Sequence, residues 1–223
     1  MNLNRLNIKV LLFFCFYTLT PGCNHSYQKE GLQEVDLLFQ NLDCGKLCDA
    51  IEAVTVGIDG KNFSHCALVV KINDTLKVIE AIGDEVQVNS LQHFFARTGD
   101  TTQIENITVG RVKHQYENLI PKAIFNAKQF VGQPYDDEFI LNNGKWYCSE
   151  LIYEAFEEAN NKSDFFVLEP MTFRNPETKA FFPAWVTYYK SLEKEIPEGQ
   201  AGINPGLISR SDKIQIIKIE NIK

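Results

Sequence analysis

A cysteine at the start of a helix, with a histidine and a glutamate on neighbouring strands, is a residue set that can perform acyl transfer. Cys148 is the first of these. It sits in Trp146-Tyr147-Cys148-Ser149-Glu150-Leu151, just before residues with helical periodicity. Leu151, Ile152, Ala155, Phe156 and Ala159 fall at helical spacing and form one buried stripe. That spacing puts Cys148 at or near a helix N-terminus, where free N–H groups and the macrodipole favour an anion. A thiol there has its pKa drawn down from about 8.5, and the thiolate is the nucleophile. Most cysteines are merely small buried hydrophobes, so the reading depends on a base elsewhere in the chain.

The base comes from an upstream pair of strands. Ser64-His65-Cys66-Ala67-Leu68-Val69-Val70-Lys71-Ile72 is rich in β-branched and apolar residues and predicts a strand. Asn73-Asp74 is a turn signal, and Thr75-Leu76-Lys77-Val78-Ile79-Glu80-Ala81-Ile82 predicts a second strand. With a two-residue loop, Ile72 pairs with Thr75, Ala67 with Glu80 and His65 with Ile82. His65 and Glu80 then share one face on a diagonal, with Cβ atoms roughly 7 Å apart. A slip of one residue would send one of them to the other face. In this register Glu80 can hold the His65 tautomer. Alternation sends Cys66 to the face opposite His65, so it is expected to be inert.

Ser64-His65-Cys66-Ala67-Leu68-Val69, then Val78-Ile79-Glu80-Ala81, then Tyr147-Cys148-Ser149-Glu150-Leu151 resemble the circularly permuted papain-like hydrolases. These are the YiiX-like branch of the NlpC/p60 cysteine peptidase superfamily. In ordinary members the Cys precedes the His; in permuted members the His strand comes first, as here. Val35-Asp36-Leu37-Leu38-Phe39 resembles the family's opening strand, although a Gly usually stands where Val35 is. Gly132-Gln133-Pro134-Tyr135-Asp136 resembles the segment leading to the nucleophile, and Ser209-Arg210-Ser211-Asp212-Lys213-Ile214 matches the tail. The resemblance implies a papain-like α+β fold, with a central antiparallel sheet packed against helices. It implies a Cys148–His65–Glu80 triad, and Tyr135 as a cleft-wall residue, since the family carries a Tyr in this segment. It also implies amide hydrolysis, plausibly in a cell-wall peptide stem. Lipid acyltransferases and thioesterases related by permutation use the same Cys–His pair and form the enzymatic alternative. A non-catalytic lipoprotein that binds a ligand in a degenerate cleft is the alternative of another class.

The other site residues follow from position. Trp146 and Tyr147 flank the nucleophile, and Asp136 with Asp137 could pair with a substrate amine. The backbone N–H of Cys148 is a natural oxyanion donor; a second donor is not readable. No cofactor is expected. His25, His93 and His114 are scattered, so no metal site is expected either. If residues 43–54 are helical, Cys44 and Cys48 do not meet well for a bridge.

Composition bounds the rest. Hydrophobic content of 44% over 223 residues suits one globular domain, and a net charge of −7 argues against nucleic-acid binding. Residues 1–22 read as a targeting segment. Arg5 and Lys9 form its basic start, and Val10 to Leu19 is an apolar run too short to span a bilayer. Gly22-Cys23 resembles a lipoprotein cleavage site, with Cys23 lipidated and residues 23–34 a tether. The expected location is the cell envelope, with attachment to the membrane through that lipid. Residues 35–223 form the catalytic domain.

Within that domain, residues 86–88 and 104–112 predict strands and residues 91–96 a helical turn. Residues 116–131 predict a helix stopped by Gly132-Gln133-Pro134. Residues 136–145 form a loop over the site. Residues 161–197, rich in Pro and aromatics without a clean period, read as an insertion beside the cleft. Residues 214–219 predict a closing strand. Helices with a largely antiparallel sheet make the class α+β.

Overall fold

The protein's computed structural model describes residues 31–97 and 107–218. The expected leader 1–22, the lipidation candidate Cys23, the tether up to residue 30 and the first part of the 104–112 strand lie outside the described residues.

The chain opens with β1 (Leu37–Gln40) and a short helix α1 (Lys46–Glu52). The hairpin β2 (His65–Ile72) and β3 (Thr75–Ile82) follows, then β4 (Glu85–Ser90), α2 (Leu91–Ala96) and β5 (Ile107–Val112). Next come α3 (Ile120–Gln129) and α4 (Cys148–Ala159). The last part holds β6 (Glu169–Pro170), α5 (Pro183–Ser191), β7 (Ala201–Gly202), α6 (Pro205–Ser209) and β8 (Ile214–Ile217). Six strands form one antiparallel sheet in the order β4-β3-β2-β1-β5-β8.

Strand alternation divides the apolar residues between two faces. Phe39, Cys66, Leu68, Val70, Ile79 and Ala81 pack with the stripe of α4 and with Ala123 and Ala127 of α3. Leu38, Ala67, Val69 and Val78 pack on the other face with Phe94 of α2. The loop between β2 and β3 has two residues: Ile72 pairs with Thr75, and Leu68 with Ile79. Asn73 and Asp74 take φ of 49° and 61°, the left-handed pair that a type I′ hairpin turn requires. The register read from the sequence is the register of the fold.

Val35 has φ 72°, a left-handed conformation that costs a β-branched residue strain and costs Gly none. This is the physical reason a Gly suits that position. Asp36 follows it, fully buried, and its carboxylate accepts two hydrogen bonds from Arg111 of β5, at 2.7 and 2.8 Å, and one from the Gln33 N–H at 2.7 Å. The pair ties the entry of the chain across the sheet.

Four local expectations need correction. Cys44 and Cys48 do form a disulfide, with Cα atoms 5.3 Å apart. The helix begins at Lys46 rather than at residue 43, and Gly45 at φ 72° turns the chain so that Cys44 folds back over the first turn. Geometry therefore permits a bridge that an unbroken helix would hinder. Second, the helix expected over 116–131 is split. His114–Leu119 is 3-10, and α3 starts where Pro121, lacking an N–H, suits a first turn. Third, the closing strand is shorter, ending at Ile217. Fourth, the aperiodic 161–197 segment contains α5. Its Trp185 and Tyr189, one helical turn apart, bury against Phe173 and against Ala50 of α1. This third cluster forms one wall of the cleft.

Candidate active site

Cys148 is the first residue of α4. Its sulfur therefore lies at the positive end of a three-turn helix, among N–H groups without intrahelical acceptors. It arrives from the α4 face of the sheet, whereas His65 belongs to the opposite face. They meet because His65 opens β2, so its ring lies at the strand's end. The Cys148 sulfur and the His65 ring interact there, each favouring the other's charged form. His65 Nε2 is 2.6 Å from Glu80 Oε2, which leaves the other ring nitrogen for the sulfur. His65 is 3% exposed and Glu80 0%, so the dyad is shielded from water.

Glu80 is held from three sides. Besides His65, its Oε1 accepts from Asn89 Nδ2 at 2.9 Å, and its Oε2 is ion-paired with Arg97. Arg97 follows α2, and Gln40 of β1 fixes that helix by donating from Nε2 to the Phe94 carbonyl at 3.3 Å. The electrostatics follow from these contacts. Burial alone would raise Glu80, but His65 and Arg97 overcome it and hold the carboxyl down at about 2. Burial alone would lower His65, but its bonds to Cys148 and Glu80 push it up to about 9. For Cys148, a hydrogen bond from Cys66 lowers the thiol most; burial opposes this, and His65 then adds to the lowering, leaving it well below the ordinary range. These contacts favour the thiolate–imidazolium pair over the neutral one.

A cavity of about 210 Å³ opens beside the sulfur. Its lining includes Tyr135, Phe139, Tyr147, Cys148, Met171, Phe173, Trp185, Ile203 and Leu207.

The family model of the permuted papain-like amidases, the YaeF/YiiX or C92 family, matches residues 31–218. The chain belongs to this family. It is 24% identical over 127 residues to the uncharacterized protein YiiX of Escherichia coli K12, covering 57% of this chain and 58% of that protein. The chain thus aligns with under two thirds of that relative's length. A crystal structure described as the metalloprotein yiiX of Escherichia coli O157:H7 superimposes with a TM-score of 0.68 at 21% identity. It covers 83% of this chain and 96% of the other. Among the described residues here, no group of three or more His, Cys, Asp or Glu side chains is placed to hold a metal ion.

In this member of the permuted papain-like family, the structure brings Cys148, His65 and Glu80 together and places Tyr135 and Tyr147 on the cavity wall. Trp146 and Asp136 stand elsewhere. The Trp146 ring stacks on Phe130, with centroids 4.8 Å apart, and its Nε1 donates to Glu154 at 2.9 Å. Asp136 is fully buried and accepts from the Glu138 and Ile140 N–H groups and from Asn143 Nδ2. Its carboxylate shapes the 136–145 loop and has no face left for a substrate amine. Asp137 is engaged by the Tyr188 hydroxyl.

Three residues of the site went unread in the sequence. Asn89 was accessible by extending the sheet one strand: Glu80 pairs with Gln87, which puts Asn89 diagonal to Glu80 on the same face. Arg97 carries no local signal, because its position depends on how α2 docks. Cys66 does face away from His65, but that is the face on which α4 begins. There its thiol favours the charged form of Cys148, while burial holds its own pKa well above the ordinary value.

One buried carboxyl beside the nucleophile has a consequence for stability. Glu150, in the first turn of α4, is fully buried, and among the described residues its Oε1 makes no hydrogen bond within normal geometry. Burial first, then the Glu154 and Asp136 charges, push it up to about 9. Folded Glu150 stays protonated from its unfolded value near 4.5 up to about 9, so the native state binds more protons across that window. Stability contributed by Glu150 is therefore present below pH 4.5 and falls as pH rises towards 9, by at most about 1.4 kcal/mol per unit. Glu150→Gln should flatten this slope, read as the difference in urea midpoint between pH 5.5 and 8.5 for the variant against the parent. An unchanged slope would mean that Glu150 is ionised in the fold.

Proposed function

We propose that this protein is a cysteine hydrolase that cleaves an amide bond in a small peptide or amide, using Cys148, His65 and Glu80. The observation that supports it most is the buried Glu80–His65 contact of 2.6 Å, with the same ring interacting with a sulfur at the first residue of a helix. A binding module has no need of a thiolate prepared in this way.

In this mechanism the Cys148 thiolate attacks the substrate carbonyl carbon, and the carbonyl electrons move to oxygen. The oxyanion is met by the Cys148 backbone N–H at the helix start. Collapse expels the amine, which takes the proton from imidazolium His65 and leaves a thioester on Cys148. Neutral His65 then removes a proton from water, whose oxygen attacks the thioester. The acid departs, and thiolate and imidazolium are restored. Glu80, with Asn89 and Arg97 behind it, orients the ring and stabilises its charged form; Tyr135 and Tyr147 wall the cleft.

The cell envelope is the proposed setting, with attachment through a lipid on Cys23 and peptidoglycan stem peptides among the candidate substrates. A second reading has a specific observation in its favour: the cavity beside Cys148 is mostly apolar, as an acyl-lipid hydrolase would need. Incubating the protein with muropeptides, and separately with phospholipids and acyl esters, separates the two, with Cys148→Ala as the blank. Cys148-dependent amide cleavage supports the first reading; fatty-acid release without it moves the assignment to the second.

The prepared thiolate has a test that needs no substrate. Iodoacetamide should label Cys148 at a rate nearly constant from pH 6 to 8, whereas an ordinary thiol gains about tenfold per unit there. Cys148 is 7% exposed and Cys66 0%, so Cys66 should stay unlabelled. Preferential labelling of Cys66, or an ordinary thiol profile at Cys148, would contradict the assignment.

A further inference from the structure

The tail motif containing Arg210 plays no part in the triad, yet Arg210 and Cys148 line the same cavity. Ser209 has a structural use: its hydroxyl accepts from the Ile58 N–H at 3.0 Å and donates to the Gly206 carbonyl at 2.7 Å. Arg210 is exposed, and no carboxylate among the described residues pairs with it. Its base is firmly set. α6 packs so closely on the Thr55 carbonyl that a Cβ on Gly206 would lie 2.1 Å from that oxygen.

Arg210 also lines a second, more open cleft of about 460 Å³, which shares Val54 and Thr172 with the first. The second cleft holds two further cations, Arg174 and Lys179. The Arg174 guanidinium lies 3.8 Å over the Phe181 ring and bonds to the Lys179 carbonyl at 2.9 Å. Glu198 pairs with Arg174 Nε at 3.3 Å, while among the described residues Lys179 Nζ donates to the Pro176 carbonyl alone. Three cations against one carboxylate leave this cleft positive on a chain whose net charge is −7. Glu169, which lines the inner cavity, and Glu177, exposed in the loop between Pro176 and Lys179, are further acidic groups nearby. A local reversal of sign focuses field on the cleft and raises the local concentration of anions.

We infer that the substrate is an amphipathic anion, with its apolar group in the cavity beside Cys148 and a carboxylate or phosphate held by Arg210, with Lys179 and Arg174 beyond it. Only the identity of the scissile bond rests on the proposed hydrolase reading; the binding does not. A planar guanidinium presents a fork of donors that matches either anion. The inner cavity supplies the apolar contact and the outer cleft the charge, so an N-acyl amino acid or a short peptide with a free terminal carboxylate would fill both. This replaces the amine-bearing substrate suggested by Asp136 and Asp137, whose carboxylates face their own loop and Tyr188.

Calorimetric titration of the whole protein with four probes of one chain length tests this: octanoate, octyl phosphate, octanol and octylamine. Both anions should bind at least tenfold more tightly than octanol, and octylamine should bind more weakly than either. Their preference should shrink with added salt. The relative affinity of octanoate and octyl phosphate identifies which anion the cleft favours. Arg210→Gln should cost the anions about tenfold and leave octanol unchanged. Lys179→Gln, at an exposed loop position, should cost less and add to it. Equal binding of octanol and octanoate, tighter octylamine, or anion binding indifferent to both substitutions would overturn the inference. Iodoacetamide labelling of Cys148 in the same samples reports on the prepared thiolate separately, so the hydrolase reading and the anion subsite stand or fall independently.

Discussion

Cys148→Ala and His65→Ala should each reduce amide hydrolysis by on the order of 10⁴-fold or more, and the double variant should be little worse than either. Nucleophile and base act as one unit, so losses do not add. Glu80→Gln should retain more activity than either, losing roughly 10²-fold, because the amide can still orient the ring while the charge is gone. The pH profile distinguishes this from a general structural defect. In the parent, kcat/KM should hold across neutral pH and fall on the alkaline side near the His65 value of about 9. With Glu80 neutral, imidazolium loses its counter-charge while Arg97 stays in place, so His65 drops and the alkaline limb moves to lower pH. Asn89→Ala should reduce kcat more than it raises KM. A neutral effect of Glu80→Gln, or an unmoved alkaline limb, would show that the Glu80–His65 contact has no part in turnover.

Arg111→Met should destabilise the fold by about 3–5 kcal/mol. Asp36 is fully buried, and among the described residues Arg111 supplies two of the three hydrogen bonds to its carboxylate. Removing the cation leaves a carboxylate in a dry site with one backbone N–H, and the desolvation cost of that charge then goes uncompensated. Replacing both partners, Asp36→Leu with Arg111→Met, should recover much of the loss, since a buried ion pair is often matched by well-packed apolar residues. Urea unfolding of the two variants measures this. A single variant within about 1 kcal/mol of the parent would mean that water or a neighbouring donor takes over at Asp36.

Legibility in the sequence followed the range of the interaction. The β2–β3 hairpin was readable because a two-residue loop fixes pairing, and pairing fixes which side chains share a face. From that alone, the diagonal between His65 and Glu80 follows. The helix at Cys148 was readable because its apolar stripe repeats over three turns. Arg97 was not, since it reaches Glu80 only through the docking of α2, which rests on the Gln40 contact to Phe94. α5 escaped because two buried aromatics on a nine-residue helix make no period that stands out among so many others. The Cys44–Cys48 bridge escaped because one left-handed glycine decides where α1 begins. Asp136 illustrates the converse: an acidic residue beside a cleft suggests a ligand, but only coordinates show whether its oxygens are already taken.

His65 and Glu80 belong to one hairpin, closed by two residues, and such hairpins form in about 1–10 μs. Cys148 lies far downstream and acquires its hydrogen bonds only when α4 packs against the finished sheet. In a chain made from its N-terminus, the base and its orienter can therefore be complete while the nucleophile is still an ordinary thiol, with a pKa near 8.5. Activation of the sulfur is thus a property of the finished fold: local opening of α4 should return Cys148 to an ordinary thiol without disturbing the hairpin that carries His65 and Glu80.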